Sequence, residues 1–252
     1  MLNRFCHLLA VLVVLMGVPS AVRADESGGN EAVVTTIMGA ARVYAAGSPS
    51  GRLLKKGDLL RKDDEVKVAE KSRLELRFPD GTVMRFAEKS RLKMNELAFN
   101  RKTARKNVNV GLTIGRLWAK VKKLTTPDSS VEVKTSNAVA GVRGTVYRVN
   151  VEDDKSALIK VYDGSVYVAN PPRDPSKPID KVEAPREVRG PQPVPPPYHE
   201  VSMEEWTAIV KAMQQITISA DGKPSKPQDF DPMADADEWV RWNQERDKEL
   251  QF

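Results

Sequence analysis

Arg73-Leu74-Glu75-Leu76-Arg77-Phe78, then Pro79-Asp80-Gly81, then Thr82-Val83-Met84-Arg85-Phe86, is the stretch that decides the fold class. Charged and apolar residues alternate over 73–78, so Leu74, Leu76 and Phe78 share one face of a strand. Asp-Gly between two β-rich runs predicts a hairpin, because glycine accepts the positive φ that such turns need. The arrangement recurs in Ala157-Leu158-Ile159-Lys160-Val161-Tyr162, Asp163-Gly164 and Ser165-Val166-Tyr167-Val168, which predicts a second hairpin. Gly57-Asp58 and Gly115 supply further punctuation. No helical pattern interrupts residues 32–169, so this part is expected to be mainly β, an antiparallel sandwich or barrel-like domain of many short strands.

Ahead of this domain the sequence reads as a secretory leader. Arg4 gives a positive start, Phe5 to Val18 is uncharged and largely apolar, Pro19 breaks the run, and Val22-Arg23-Ala24 offers small residues for cleavage after Ala24. The apolar run is shorter than the roughly 20 residues of a membrane span. Cys6 precedes the apolar run rather than ending it, which argues against a lipoprotein. The expectation is therefore a periplasmic or secreted protein, with no transmembrane span in the mature chain. Cleavage would remove the one cysteine, Cys6, and one of two histidines, His7, leaving His199. A domain without disulfides must hold itself by packing, and the length allows this. The net charge of +6, of which Arg4 and Arg23 belong to the leader, is a mild basic surplus that suits anionic envelope polymers.

Beyond the β region, residues 170–200 are proline-rich, ending in Pro195-Pro196-Pro197, and predict an extended linker or strap. Residues 201–252 predict a tail of two short amphipathic helices. In the first, Ser202 and Glu205 form a capping box, and Trp206, Ile209, Val210, Met213 and Ile216 recur at helical spacing. The second runs from Asp235 to Leu250, with Trp239, Trp242 and Leu250 as its apolar anchors. Helices this short are marginal alone, so each is expected to dock.

The densest local signal is Thr135 to Val149, where Gly141 and Gly144 flank Arg143 in a β-rich run. Glycine in a strand implies a bulge or a close backbone approach. The run Ala138 to Tyr147, with Gly141-Val142-Arg143-Gly144-Thr145 at its centre, resembles the signature of the FecR domain, the periplasmic part of ferric-citrate-type signalling regulators. The resemblance takes in Gly57-Asp58, Asp80-Gly81-Thr82, Gly115-Arg116-Leu117-Trp118 and Val161 to Val166, and so covers about Val33 to Val168. It implies an extracytoplasmic, non-catalytic β-domain that works through protein contacts. Regulators of that type carry a cytoplasmic segment and a membrane span ahead of the domain. Here the leader runs straight into it, so a stand-alone exported domain is expected, not a holder of a cytoplasmic sigma factor.

Several residues could carry contacts. Arg143 presents a planar five-donor fork, suited either to bracing a carboxylate such as Asp58 or Asp80 or to holding a ligand. The partner-binding candidates are Arg143, Tyr147, Trp118, Trp239 and Trp242. Trp206 reads as core, whereas Trp239 and Trp242 divide evenly between core and contact. Asp80 and Asp163 could be imagined as a hydrolytic carboxylate pair, but their Asp-Gly turns already account for them. No residue is assigned a catalytic, cofactor or metal role, and His199 stands without a nucleophile-elbow motif or metal-ligand cluster. The basic runs Arg101 to Lys106 and Lys120 to Lys123 read as solvated edges. The partner expected is an envelope protein or, in the alternative of a cell-wall polysaccharide-binding protein using basic edges and tail aromatics, an anionic envelope polymer. Nucleic acid is not expected.

Overall fold

The computed structural model describes residues 29–100, 102–171 and 206–250. The leader, the proline-rich segment from 172 to 200 with His199, and the Ser202–Glu205 cap lie outside the described residues. The chain alternates between two sheets, here A and B. β1 (Ala32–Met38) lies in A, β2 (Ala41–Tyr44) and β3 (Arg52–Leu53) in B, and β4 (Leu59–Leu60) in A. β5 (Glu65–Val68) is in B, β6 (Arg73–Arg77) and β7 (Val83–Phe86) are in A, and β8 (Arg91–Asn100) is in B. β9 (Arg105–Lys120) belongs to both. β10 (Ser130–Lys134) and β11 (Val139–Val142) return to B, and β12 (Val146–Val151) and β13 (Ala157–Asp163) to A. β14 (Ser165–Ala169) and β15 (Thr207–Lys211) are in B, and β16 (Gln214–Ile218) and β17 (Gln228–Asp229) in A, ahead of α1 (Glu238–Lys248).

Sheet A runs β4-β1-β6-β7-β9-β12-β13-β16-β17, and sheet B runs β3-β2-β5-β8-β9-β10-β11-β14-β15. The mainly β expectation holds, and the Asp80-Gly81 hairpin forms with Arg77 opposite Val83. Leu74 and Leu76, together with Phe78 just past the strand, are buried on one side as the alternation requires. They join Val66, Met94, Val110, Leu117, Val133 and Ile159 in one apolar core fed by both sheets. Removing such surface from water is the main stabilising term, on the order of 25 cal/mol per Å².

Gly115 does not separate strands, as expected, but bends one. Residues 105–114 of β9 pair with β8, and residues 115–120 pair with β12. Gly115 has φ +101°, and a Cβ there would lie 2.5 Å from the Ser90 Cα, so only glycine lets the strand change sheets at this point. This switch explains the one departure from antiparallel order. Since β9 ends in sheet A, the chain crosses back through 121–129 and lays β10 parallel to the first half of β9, with Val131 opposite Val108. The second Asp-Gly is a corner, not a hairpin: β13 pairs with β12 and β16 in sheet A, while β14 pairs with β11 and β15 in sheet B.

The first tail helix is also corrected. Residues 207–218 form two strands, β15 in sheet B and β16 in sheet A, joined at a corner where Met213 lies in the left-handed region (φ +63°). Val210, Ile216 and Ile218 enter the core. The helical spacing arose because the turn at Ala212-Met213 offsets two alternating runs, and edge pairing with β14 and β13 outweighs the weak local preference. Trp206 packs against this core as expected, its Nε1 donating to the Gly222 carbonyl at 3.0 Å. The second helix forms as α1, capped by Asp237, whose side chain accepts from the Val240 amide.

Candidate functional site: the outer face of sheet A

Three of the five predicted contact residues meet in one place, and the strand registers show why. Thr36, Glu75, Arg85, Trp118, Arg148, Lys160 and Gln215 stand directly opposite one another across β1, β6, β7, β9, β12, β13 and β16. From Glu75 to Gln215 each alternates with a core residue, and a bulge in β1 brings both Thr35 and Thr36 to Glu75, so the row lies on the outer face, with neighbours about 4.8 Å apart across the strands. Arg73, Arg116 and Lys120, two positions away along β6 and β9, share that face. It is strongly basic, with Glu75 its one acid among these positions.

Residues 235–248 cover the row. Asp235 accepts from Arg148 at 2.6 Å and Lys160 at 2.7 Å, and from the Tyr162 hydroxyl. Asp237 accepts from Arg116 at 2.7 Å, and Glu238 from Arg73 at 2.6 Å. Asp247 takes Arg85 on one oxygen at 2.6 Å and the Trp118 Nε1 on the other at 2.9 Å. Lys120 donates to the Asp247 and Leu250 carbonyls, satisfying the free end of the helix where its dipole favours a cation.

Arg85 is fully buried, and it sits between Asp247 and Glu75, the latter at 2.6 Å. Arg246 of α1 grips the same Glu75 with two nitrogens, at 2.9 and 3.2 Å. Burial alone would push the Glu75 carboxyl up, but hydrogen bonds from Arg246, Arg85 and Thr35 outweigh it and hold the group down at about 2. Burial would likewise raise Asp237, yet the Val240 amide and Arg116 hold it below the usual carboxylate range. Burial and the Asp235 hydrogen bond push the Tyr162 phenol up.

The aromatic residues pack into this layer. Trp118 is 1% exposed and Trp239 5%, and both form a small cluster with Ala87 and Val240 that is separate from the main core. Trp239 and Trp242 stack at 5.3 Å, with the Arg73 guanidinium 4.9 Å from the half-buried Trp242 ring. Trp118 is thus a contact residue for the chain's own helix and is closed to any other partner in this arrangement.

The other two candidates lie elsewhere. Tyr147 points inward from β12, fully buried in the main core, and contacts no surface. Arg143 is exposed, and its guanidinium donates to the Thr126 and Pro127 carbonyls at 3.0 and 3.4 Å. It pairs with neither suggested acid: Asp58 holds Arg52, and Asp80 accepts from Thr82 and Lys106. Of the flanking glycines, Gly144 makes the close approach, its Cβ position 2.8 Å from the Lys123 Cα, whereas Gly141 meets nothing nearer than 3.9 Å. Lys106 of the first basic run is buried against Asp80 rather than solvated.

Sequence reading missed Glu75, Arg85, Arg148, Asp235, Arg246 and Asp247. Alternation in β6 and β7 marks one face as polar without saying what covers it. Trp118, on the same face as Arg116 and Lys120, was the signal that this face is covered. Among the described residues no cluster of His, Cys, Asp and Glu could hold a metal ion, and no helix is long and apolar enough to cross a membrane.

Comparison with known families bears on the central strands. The family model described as FecR protein matches residues 64–167, so the resemblance read from the sequence is borne out. Two crystal structures of a candidate anti-sigma factor from Parabacteroides distasonis are similar to the chain. One has TM-score 0.47 at 15% identity, covering 71% of this chain and 64% of that one. The other has TM-score 0.44 at 15% identity, covering 66% and 60%. The chain thus spans less than two thirds of the length of either. No curated protein matches.

Proposed function

We propose, from the FecR domain at residues 64–167, that this chain is an exported, non-enzymatic binding module that acts in the bacterial envelope through protein contacts. The family match carries the reading, and the leader pattern of residues 1–24 supplies the compartment. The ion pairs add support, because acids that could have served chemistry are already engaged. Glu75 is held by Arg85 and Arg246, Asp80 by Lys106, Asp235 by Arg148 and Lys160, and Asp247 by Arg85. Glycoside hydrolysis needs two carboxyls flanking an open bond site, and these acids face cations instead.

The polysaccharide alternative draws on tail aromatics and basic edges, and the tail tryptophans are spent on the helix interface while Lys106 is buried. Affinity capture with the tagged mature protein from envelope extract tests the main reading. A discrete protein partner retained at low or high salt is expected, and none at either salt would overturn it. Mass analysis of the exported protein should find an N-terminus at Asp25.

A further inference from the structure

We propose that the basic outer face of sheet A is a docking site for an acidic, tryptophan-bearing helix of a partner protein, and that α1 occupies it as an intramolecular stand-in. This rests on the reading of the chain as a protein-contact module and names the surface that does the work.

Three observations converge on it. Charge is the first. Arg73, Arg85, Arg116, Arg148 and Lys160 on the sheet meet Glu238, Asp247, Asp237 and Asp235 on one short segment, and one pair runs the other way, Arg246 of α1 on Glu75. The second is how little apolar surface holds the segment. Of α1 only Trp239, Val240 and Asn243 are buried, and an 11-residue helix is marginal by itself. Its docking therefore relies on charge-assisted hydrogen bonds, whose gain is largely offset by desolvation. A segment held in that way is exchangeable in a manner that a strand of the core is not.

The third observation points to an outside ligand. Arg85 Nη2, Arg116 Nε and Arg148 Nε are buried and have no hydrogen-bond partner among the described residues. All three belong to this face. A buried donor left unmet is costly, so the face offers more than its own helix uses. Over Arg85, α1 presents Asp247 to Nη1 at 2.6 Å and beside it the neutral Asn243, whose side-chain oxygen is 3.5 Å from that same nitrogen, so Nη2 is left unmet. A partner helix with more carboxylates over Arg85, Arg116 and Arg148 would satisfy donors that the stand-in leaves open.

The test uses the full mature chain and a fluorescent peptide of residues 231–252 as probe. Asp235→Asn with Asp247→Asn loosens the internal segment. Since the closed state lowers apparent affinity by its own population, the double variant should bind the peptide about tenfold or more tightly than the native chain does. Binding should weaken steeply with salt. A variant that melts cooperatively yet binds no better than the native chain overturns the proposal. If the variant fails to fold, a protease site placed in the turn around Gly222, cut after folding, replaces it. Exchange of the cut tail for labelled peptide supports the proposal, and a tail that excess peptide cannot displace overturns it. A loosened chain that dimerises by swapping α1 and ignores the peptide also overturns it, assigning the face to a second copy. Envelope capture remains a separate readout, since a partner recovered through another surface leaves the module reading standing while this one fails.

Discussion

Leu76 and Glu75 are neighbours in one strand and both are buried, yet unlike surroundings hold them. Leu76 faces the apolar core between the sheets, where contact is non-directional and each methylene removed from water adds to stability. Glu75 faces outward into a layer of guanidinium groups, carboxylates and indoles beneath α1. The inner face holds because it excludes water, whereas the outer face holds only while each charge keeps its partner. The first arrangement tolerates exchange of one hydrocarbon for another. The second is intolerant of single losses, but it specifies which segment may lie there and in what register.

That contrast can be broken most sharply at Arg85. Arg85→Ala strands Glu75 and Asp247 without their shared cation and should cost about 3–5 kcal/mol in denaturant unfolding. Replacing the group together, as Glu75→Leu/Arg85→Met/Asp247→Leu, should recover most of that loss, because apolar packing of similar volume matches a buried ion network. A triple variant no more stable than Arg85→Ala would show that the charges carry net stability themselves. Leu76→Ala probes the opposite face and should cost about 2–5 kcal/mol, with no second-site replacement to rescue it.

Acid separates the faces without mutation. Glu75 titrates at about 2 in the folded chain against an ordinary 4.5, so its contribution is full above pH 4.5 and is lost as pH falls toward 2. Near-UV circular dichroism of the tail tryptophans should therefore change in that window, and Glu75→Gln should remove the dependence. The smallest effect is expected where a pair is neither inside nor covered. The Arg52 side chain is 59% exposed beside Asp58, and Arg52→Ala should shift stability by less than about 1 kcal/mol in the same unfolding assay.

The inner face was legible in the sequence because it is written in period two. Leu74, Leu76 and Phe78, and the Asp80-Gly81 turn after them, needed no tertiary knowledge. The outer face was not, because a charged residue in an alternating strand reads the same under water as under a helix. The sequence separation compounds this, since Glu75 and Arg246 meet across 171 positions. Trp118, Trp239 and Trp242 were singled out one by one, and their convergence became visible only with the register of Arg85, Trp118 and Arg148. The β15–β16 corner was illegible for a local reason. Its turn at Ala212-Met213 carries none of the glycine, asparagine or proline that marks a reversal, and Met213 adopts the left-handed conformation regardless.

The strand that changes sheets at Gly115 has a consequence for how the domain comes apart. Residues 107–111 of β9 lie between β8 and β10, and residues 117–120 lie between β7 and β12, so its amides are shared among four neighbours. Neither sheet can shed a subset of strands from its middle without breaking the common member. Hydrogen exchange along β9 should therefore proceed by one cooperative opening at the global rate, while α1, outside that ladder, exchanges ahead of it. The domain then has a single foldon with a detachable outer layer, and the order of protection from β9 outward to the tail is the order in which it would unravel.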